Sequence, residues 1–110
     1  MTGPASFSVT KHILGGGVVR LALEAEIDMS CIEALAAVIL QVLTIDRAAA
    51  LIIDLDAVTF LDATGITALI DGRRRAAELG ATYRISNPQG LVRRVLDVTG
   101  TLDILSGGPA

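Results

Sequence analysis

The sequence predicts an α/β domain in which helices pack on a central mixed β-sheet of four to five strands. Three observations carry that expectation. Leu51–Leu55 is a nearly unbroken aliphatic run of strand length, as expected of a strand buried on both faces. Apolar residues recur at three and four residues through longer segments, which marks helices with one buried side. After an opening pair of strands, strand and helix signals alternate, giving the order β-β-α-β-α-β-α.

The elements follow in order. Phe7–Ile13 is a first strand with Phe7, Val9 and Ile13 inward, and Gly15-Gly16-Gly17 is a flexible turn. Val18–Glu26 alternates, with Val19, Leu21, Leu23 and Ala25 on one face and Arg20 and Glu24 on the other, so the two strands read as an edge hairpin. Ser30-Cys31-Ile32-Glu33 has the spacing of a capping box, and Ile32, Leu35, Ala36, Ile39 and Leu43 then form a helical stripe. Leu51–Leu55 is the next strand, followed by a short acidic connection. Gly65–Leu79 is the second helix, with Ile66, Leu69, Ile70, Ala76 and Leu79 inward and Gly80 as its stop. Thr82–Ile85 is a short strand. Asn87-Pro88 caps a third helix, with Pro88 at its first position, Leu91, Val92, Val95 and Leu96 as its stripe and Gly100 at its end. Leu102–Leu105 reads as a closing strand.

At 110 residues the chain is one domain, 1–110, with loose ends at about 1–6 and 106–110. Apolar residues make up 52%, but there is no Trp, one Tyr and two Phe, so stacking of single-stranded nucleic acid is not expected. A net charge of −3 with a single lysine, Lys11, points the same way: no nucleic-acid partner. The start lacks a basic flank and apolar run, and the longest apolar stretch, Ala34–Leu40, is too short for a bilayer. No membrane partner is therefore expected. Cys31 is the lone cysteine, so no internal disulfide forms and a cytoplasmic location is expected.

Catalytic readings are thin. Asp54-Leu55-Asp56 after a strand resembles the paired aspartates of haloacid-dehalogenase-type phosphatases, where the first attacks phosphorus and both hold magnesium. The Gly and Thr that should follow are Ala57 and Val58 here, so a strand end and a loop carboxylate explain the pair better. His12 and Cys31 are the sole residues of their kinds and give neither a zinc spacing nor a triad. Gly15-Gly16-Gly17 lacks the Lys-Ser/Thr of a phosphate loop. Arg73-Arg74-Arg75 splays through about 200° on a helix and forms no single patch. No enzyme, cofactor or metal is expected.

Asp62-Ala63-Thr64-Gly65 remains, at a helix start where free N–H groups and the helix dipole favour negative charge. With its flanks, Thr59-Phe60-Leu61-Asp62-Ala63-Thr64-Gly65-Ile66 resembles the signature of STAS domains, the family of anti-sigma factor antagonists: aromatic, apolar, Asp, Ser, Ser or Thr, Gly, Leu. Leu23-Glu24-Ala25-Glu26-Ile27-Asp28 is similar to the family's Leu-x-Gly-Glu-Leu-Asp. Asn87 to Gly100 is similar to its third helix. The resemblance spans nearly the whole chain in the correct order.

The resemblance implies a STAS-type fold and a non-enzymatic antagonist that binds an anti-sigma factor serine kinase and frees a sigma factor. It further implies a phospho-switch on the hydroxyl directly after the motif Asp, reversed by a phosphatase. That position is Ala63, which cannot be phosphorylated. Three readings follow: an antagonist that is not switched off here, one switched at Thr64, or a module that binds another protein or small ligand through the same loop. The partner surface implied is Glu26, Asp28, Asp62, Ala63, Thr64, Gly65 and Thr67. Thr64 can equally be the N-cap of the second helix. Exposed apolar residues of the opening hairpin suggest weak homodimer pairing.

Overall fold

The computed structural model describes residues 7–106; of the loose ends expected at 1–6 and 106–110, all but Ser106 lie outside the described residues. The elements are β1 (Ser8–Gly15), β2 (Val18–Ile27), a 3-10 turn (Met29–Cys31), α1 (Ile32–Thr44), β3 (Ala50–Leu61), α2 (Ala63–Glu78), β4 (Thr82–Ser86), α3 (Gly90–Val98) and α4 (Leu102–Leu105). Among the described residues they form one four-stranded mixed sheet in the order β1-β2-β3-β4. β1 and β2 run antiparallel, and β2–β3 and β3–β4 run parallel. The α/β class and the mixed sheet agree with the sequence. β1 is an edge strand, whereas β2 is internal, held between β1 and β3.

The core is one aliphatic cluster. Val19, Leu21 and Leu23 of β2, Leu51, Ile53 and Leu55 of β3, and Tyr83 and Ile85 of β4 meet Leu35, Ile39 and Val42 of α1 and Ile66 and Leu69 of α2. Val92 and Leu96 of α3 and Leu105 of α4 join the same cluster, so all four helices bury apolar residues into it. Phe7 and Val9 pack against it, but Ile13 lies at the hairpin tip, 66% exposed. Leu79 and Leu91, expected inward, are exposed, as is Ala36, whereas Val42, outside the expected stripe, is buried.

Several boundaries differ from the sequence reading, each for a local reason. β3 does not stop at Leu55 but continues to Leu61, through the stretch read as an acidic connection. Its buried residues alternate as far as Leu55 and then fall three apart, at Val58 and Leu61. Two register shifts against β2 coincide with that change, between Ala22/Glu24 and Ala25/Glu26. Each extra residue is a bulge that breaks the period of two while the pairing goes on. Nor is β3 buried on both faces: Ile52 and Asp54 are only half-buried.

The Ser30–Glu33 capping box does not form. Asp28 comes first, and its Oδ1 accepts from Ser30 N at 2.9 Å and Ser30 Oγ at 2.6 Å, starting a 3-10 turn before α1. Asn87 adopts φ 56°, and α3 begins at Gly90 rather than at Pro88. Leu102–Leu105 is a helical turn, not a strand. Leu105 N donates to Thr101 O at 3.0 Å, and Leu105 is drawn into the core instead of extending the sheet.

Candidate functional site

The site lies where the parallel strands β2 and β3 end, the edge from which open α/β sheets bind their ligands. The bulged pairing sets Glu26 against Phe60 and Ile27 against Leu61, so both strands finish together. Asp62 N then donates to Ile27 O at 3.3 Å, tying the two loops. Asp28 and Asp62 therefore stand on adjacent loops, each starting a helical turn.

Asp62, not Thr64, is the N-cap of α2. Its Oδ1 accepts from Gly65 N at 3.0 Å and from Thr64 Oγ1 at 2.6 Å. These bonds, the Thr64 hydroxyl first, hold the Asp62 carboxyl below the usual carboxylate range. Thr64 is half-buried and its hydroxyl proton is directed at Asp62. Ala63, the first residue of α2, is exposed. Thr67, one turn on, is exposed and donates its hydroxyl to Ala63 O at 3.0 Å.

Gly65 makes this junction possible. A Cβ there would sit 2.5 Å from Leu61 Cδ1, 2.9 Å from Ile27 Cγ2 and 3.1 Å from Ile27 O. The N-terminus of α2 lies so close to the end of β2 that only a glycine fits. Cys31 closes the other side, buried, with Sγ donating to Asp28 O at 3.4 Å and to Glu26 O at 3.7 Å. Burial pushes its thiol up, so it is an inert structural group rather than a nucleophile.

All seven expected contact residues thus fall at one end of the sheet, around the starts of the 3-10 turn and α2. Two large apolar residues beside them were missed from sequence: Met29, 74% exposed, and Phe60, 39% exposed. The available signal was a bulky apolar residue beside each loop aspartate, Asp28-Met29 and Phe60-Leu61-Asp62. A shallow cleft lined by Ile32, Ala63, Thr64, Thr67, Ala68 and Asp71 runs from the loop between α1 and α2. Asp54, by contrast, is engaged on structure: its Oδ1 accepts from Asp56 N at 3.1 Å and Asn87 Nδ2 at 3.2 Å. No cluster of three metal-binding side chains occurs among the described residues.

The STAS domain family model matches residues 11–109. The chain belongs to the STAS domain family. Among solved structures, this STAS domain is similar to an anti-sigma factor antagonist from Mycobacterium paratuberculosis, at 28% identity over 100% of this chain and 92% of that one, with a TM-score of 0.79. It shares its fold with the Bacillus cell fate determinant SpoIIAA in the phosphorylated form: 17% identity, 94% and 92% covered, TM-score 0.70. It shares its fold equally with a sulfate transporter family protein from Wolinella succinogenes: 19% identity, 86% and 76% covered, TM-score 0.72. No curated protein sequence matches the chain. None of the described helices of this STAS domain is long and apolar enough to cross a membrane.

Proposed function

We propose that this STAS domain is an anti-sigma factor antagonist: a non-enzymatic cytoplasmic protein that docks on a kinase-type anti-sigma factor, frees a sigma factor and so regulates transcription. Glu26, Asp28, Asp62, Ala63, Thr64 and Thr67 form its docking edge, with Met29 and Phe60 as apolar contacts; Gly65 is buried against Leu61 and Ile27 and supports the edge from beneath rather than touching a partner. The observation that carries the reading is the start of α2, exposed at Ala63 and Thr67 and anchored by Asp62, in a chain similar over its whole length to a known antagonist. A flat edge of carboxylates and apolar residues, with no deep cleft, suits a protein partner better than a small substrate.

Of the two switching possibilities, the geometry favours an antagonist that is not phosphorylated at this loop. The exposed position holds Ala63, which has no hydroxyl, and the Thr64 hydroxyl is committed to Asp62 at 2.6 Å. A phosphate on Thr64 would set roughly −1.5 to −2 charges against the Asp62 carboxylate. A phosphatase partner is then needless for this chain. The reading is tested by capture of kinase-type anti-sigma factors on the immobilised chain. Retention of one of them, lost in Asp62→Ala, is the expected result; retention of none would remove the proposal.

A further inference from the structure

A cleft of about 540 Å³ lies at the end of the sheet opposite the docking edge. Its floor holds the first residues of three strands, Val18 of β2, Ala50 of β3 and Thr82 of β4, together with Ile52. These strand starts are tied to one another. Ala49 N and Ala50 N donate to Gly17 O at 2.8 and 3.2 Å, and Thr82 N donates to Ala49 O at 2.9 Å. Those N–H groups are spent on the fold, so side chains supply the donors that the cleft presents. Arg84 stands beside Ile52 on the edge strand β4, and Arg73 lines the cleft from the last two turns of α2. Arg20 of β2 pairs with Ile52 from the other side. Two strand spacings, about 10 Å, separate the Arg20 and Arg84 backbones.

These cations have no carboxylate of their own. Among the described residues the ion pairs are Lys11–Asp46 and Arg74–Asp71, and no carboxylate lines the cleft. Arg20 Nε is buried with no hydrogen-bond partner. The chain carries a net charge of −3, yet it gathers three of its nine lysine and arginine residues here. Like charges so placed raise one another's energy, and a cleft lined by one sign of charge concentrates counter-ions.

We propose that this cleft binds a small organic phosphate, its phosphoryl group held between Arg73 and Arg84 and its apolar body resting on Val18, Ala50 and Ile52. Charge selects the head group. A phosphate monoester carries roughly −1.5 to −2 charges at pH 7, which balances the two lining arginines. A monocarboxylate would leave one of them unanswered. Planar guanidinium forks also match phosphate oxygens, and the Thr82 hydroxyl adds a donor at the rim. The apolar floor favours a phosphate that carries a ring or chain over inorganic phosphate, and the cleft has the size of a small-molecule site. Because the strand starts are already hydrogen-bonded, binding need not order the floor. The site lies at the far end of the parallel strands from Asp62, so it stands apart from the docking reading.

The test is titration of the full chain with phenyl phosphate, followed by amide chemical shifts in two-dimensional NMR. Inorganic phosphate supplies the head group alone, and benzyl alcohol the ring alone. Phenyl phosphate should shift the amides of Ala50–Ile52 and Thr82–Arg84, with half-saturation at about 1 mM or below. Inorganic phosphate should act on the same amides about tenfold more weakly, for want of the apolar contact. Benzyl alcohol should not saturate. Arg73→Gln and Arg84→Gln should each weaken phenyl phosphate by about tenfold. Arg74→Gln should not, because Arg74 is paired with Asp71 and lies outside the cleft. The absence of any saturable shift up to about 20 mM overturns the proposal. So do shifts centred on Asp62–Thr67, binding that survives both arginine changes, and equal affinity for phenyl and inorganic phosphate. Unchanged amide shifts away from the cleft verify that each variant is folded.

Discussion

Gly65→Ala probes the junction on which the site depends. The added methyl would lie 2.5 Å from Leu61 Cδ1, 2.9 Å from Ile27 Cγ2 and 3.1 Å from Ile27 O. Leu61 and Ile27 are both buried, so neither can turn away into open space. Ile27 O is backbone and can yield only by moving the end of β2. Overpacking of this kind costs about 1–3 kcal/mol. Against it stands the better helix propensity of alanine, worth about 1 kcal/mol in a helix interior. The net expectation is a loss of about 1–2 kcal/mol. For a domain of this size each kcal/mol corresponds to a fall in Tm of roughly 4–8 °C. Thermal unfolding followed by circular dichroism reads it directly. Because the strain falls between α2 and Ile27, anti-sigma factor capture should weaken in the folded variant at low temperature as well. A Tm equal to or above that of the parent would refute the close packing of α2 on β2.

Three further outcomes test other parts of the account. Asp62→Ala should cost about 1 kcal/mol through loss of the cap to Gly65. The folded Asp62 carboxyl lies below its ordinary value, so its contribution is present above the unfolded pKa of about 3.9 and fades as pH falls below it. Denaturant unfolding of parent and variant at pH 6 and pH 3 should therefore show a difference that shrinks at the lower pH; a constant difference would contradict the assignment. Tyr83 holds a buried hydroxyl with no partner, 2.8 Å from where a Cβ on Gly72 would lie. Tyr83→Phe should raise stability by about 1 kcal/mol and lessen the damage of Gly72→Ala in a double-mutant cycle; a destabilising Tyr83→Phe would show that the hydroxyl has an acceptor. Cys31 is buried and its thiol is raised by desolvation. Its reaction with a thiol reagent at neutral pH should follow unfolding rather than surface chemistry, and rapid labelling of the folded chain would contradict its burial.

What the sequence revealed was the part of the fold governed by strong periodicity. The stripes of α1 and α2, the alternation of Val19, Leu21 and Leu23, and the short strand around Tyr83 and Ile85 each place apolar side chains at a spacing with one explanation. β3 was legible only to Leu55, because two bulges replace its period of two by a period of three, and no spacing rule separates that from a loop. The competing caps were illegible for a different reason. Asp28 and Ser30, and Asp62 and Thr64, are all good cap residues two positions apart, and the winner depends on where the tertiary structure turns the chain. Leu102–Leu105 was misread because four residues with three aliphatics satisfy strand and helix alike, and the burial of Leu105 decides between them. The residues that the family motifs point to, from Glu26 and Asp28 to Asp62–Gly65 and Thr67, lie together at one end of the sheet. Met29 and Phe60 carry no charge or hydroxyl; their place beside the loop aspartates is readable from sequence, but their exposure is not.

The central claim is that Ala63 leaves an antagonist docked where a hydroxyl would be phosphorylated. The most direct measurement follows the complex of the chain with its kinase-type anti-sigma factor during incubation with ATP, by size-exclusion chromatography and intact mass. The parent chain should remain bound and unmodified, while Ala63→Ser should gain one phosphate and leave the complex. Phosphorylation and release of the parent, abolished by Thr64→Ala, would contradict the claim and transfer the switch to Thr64.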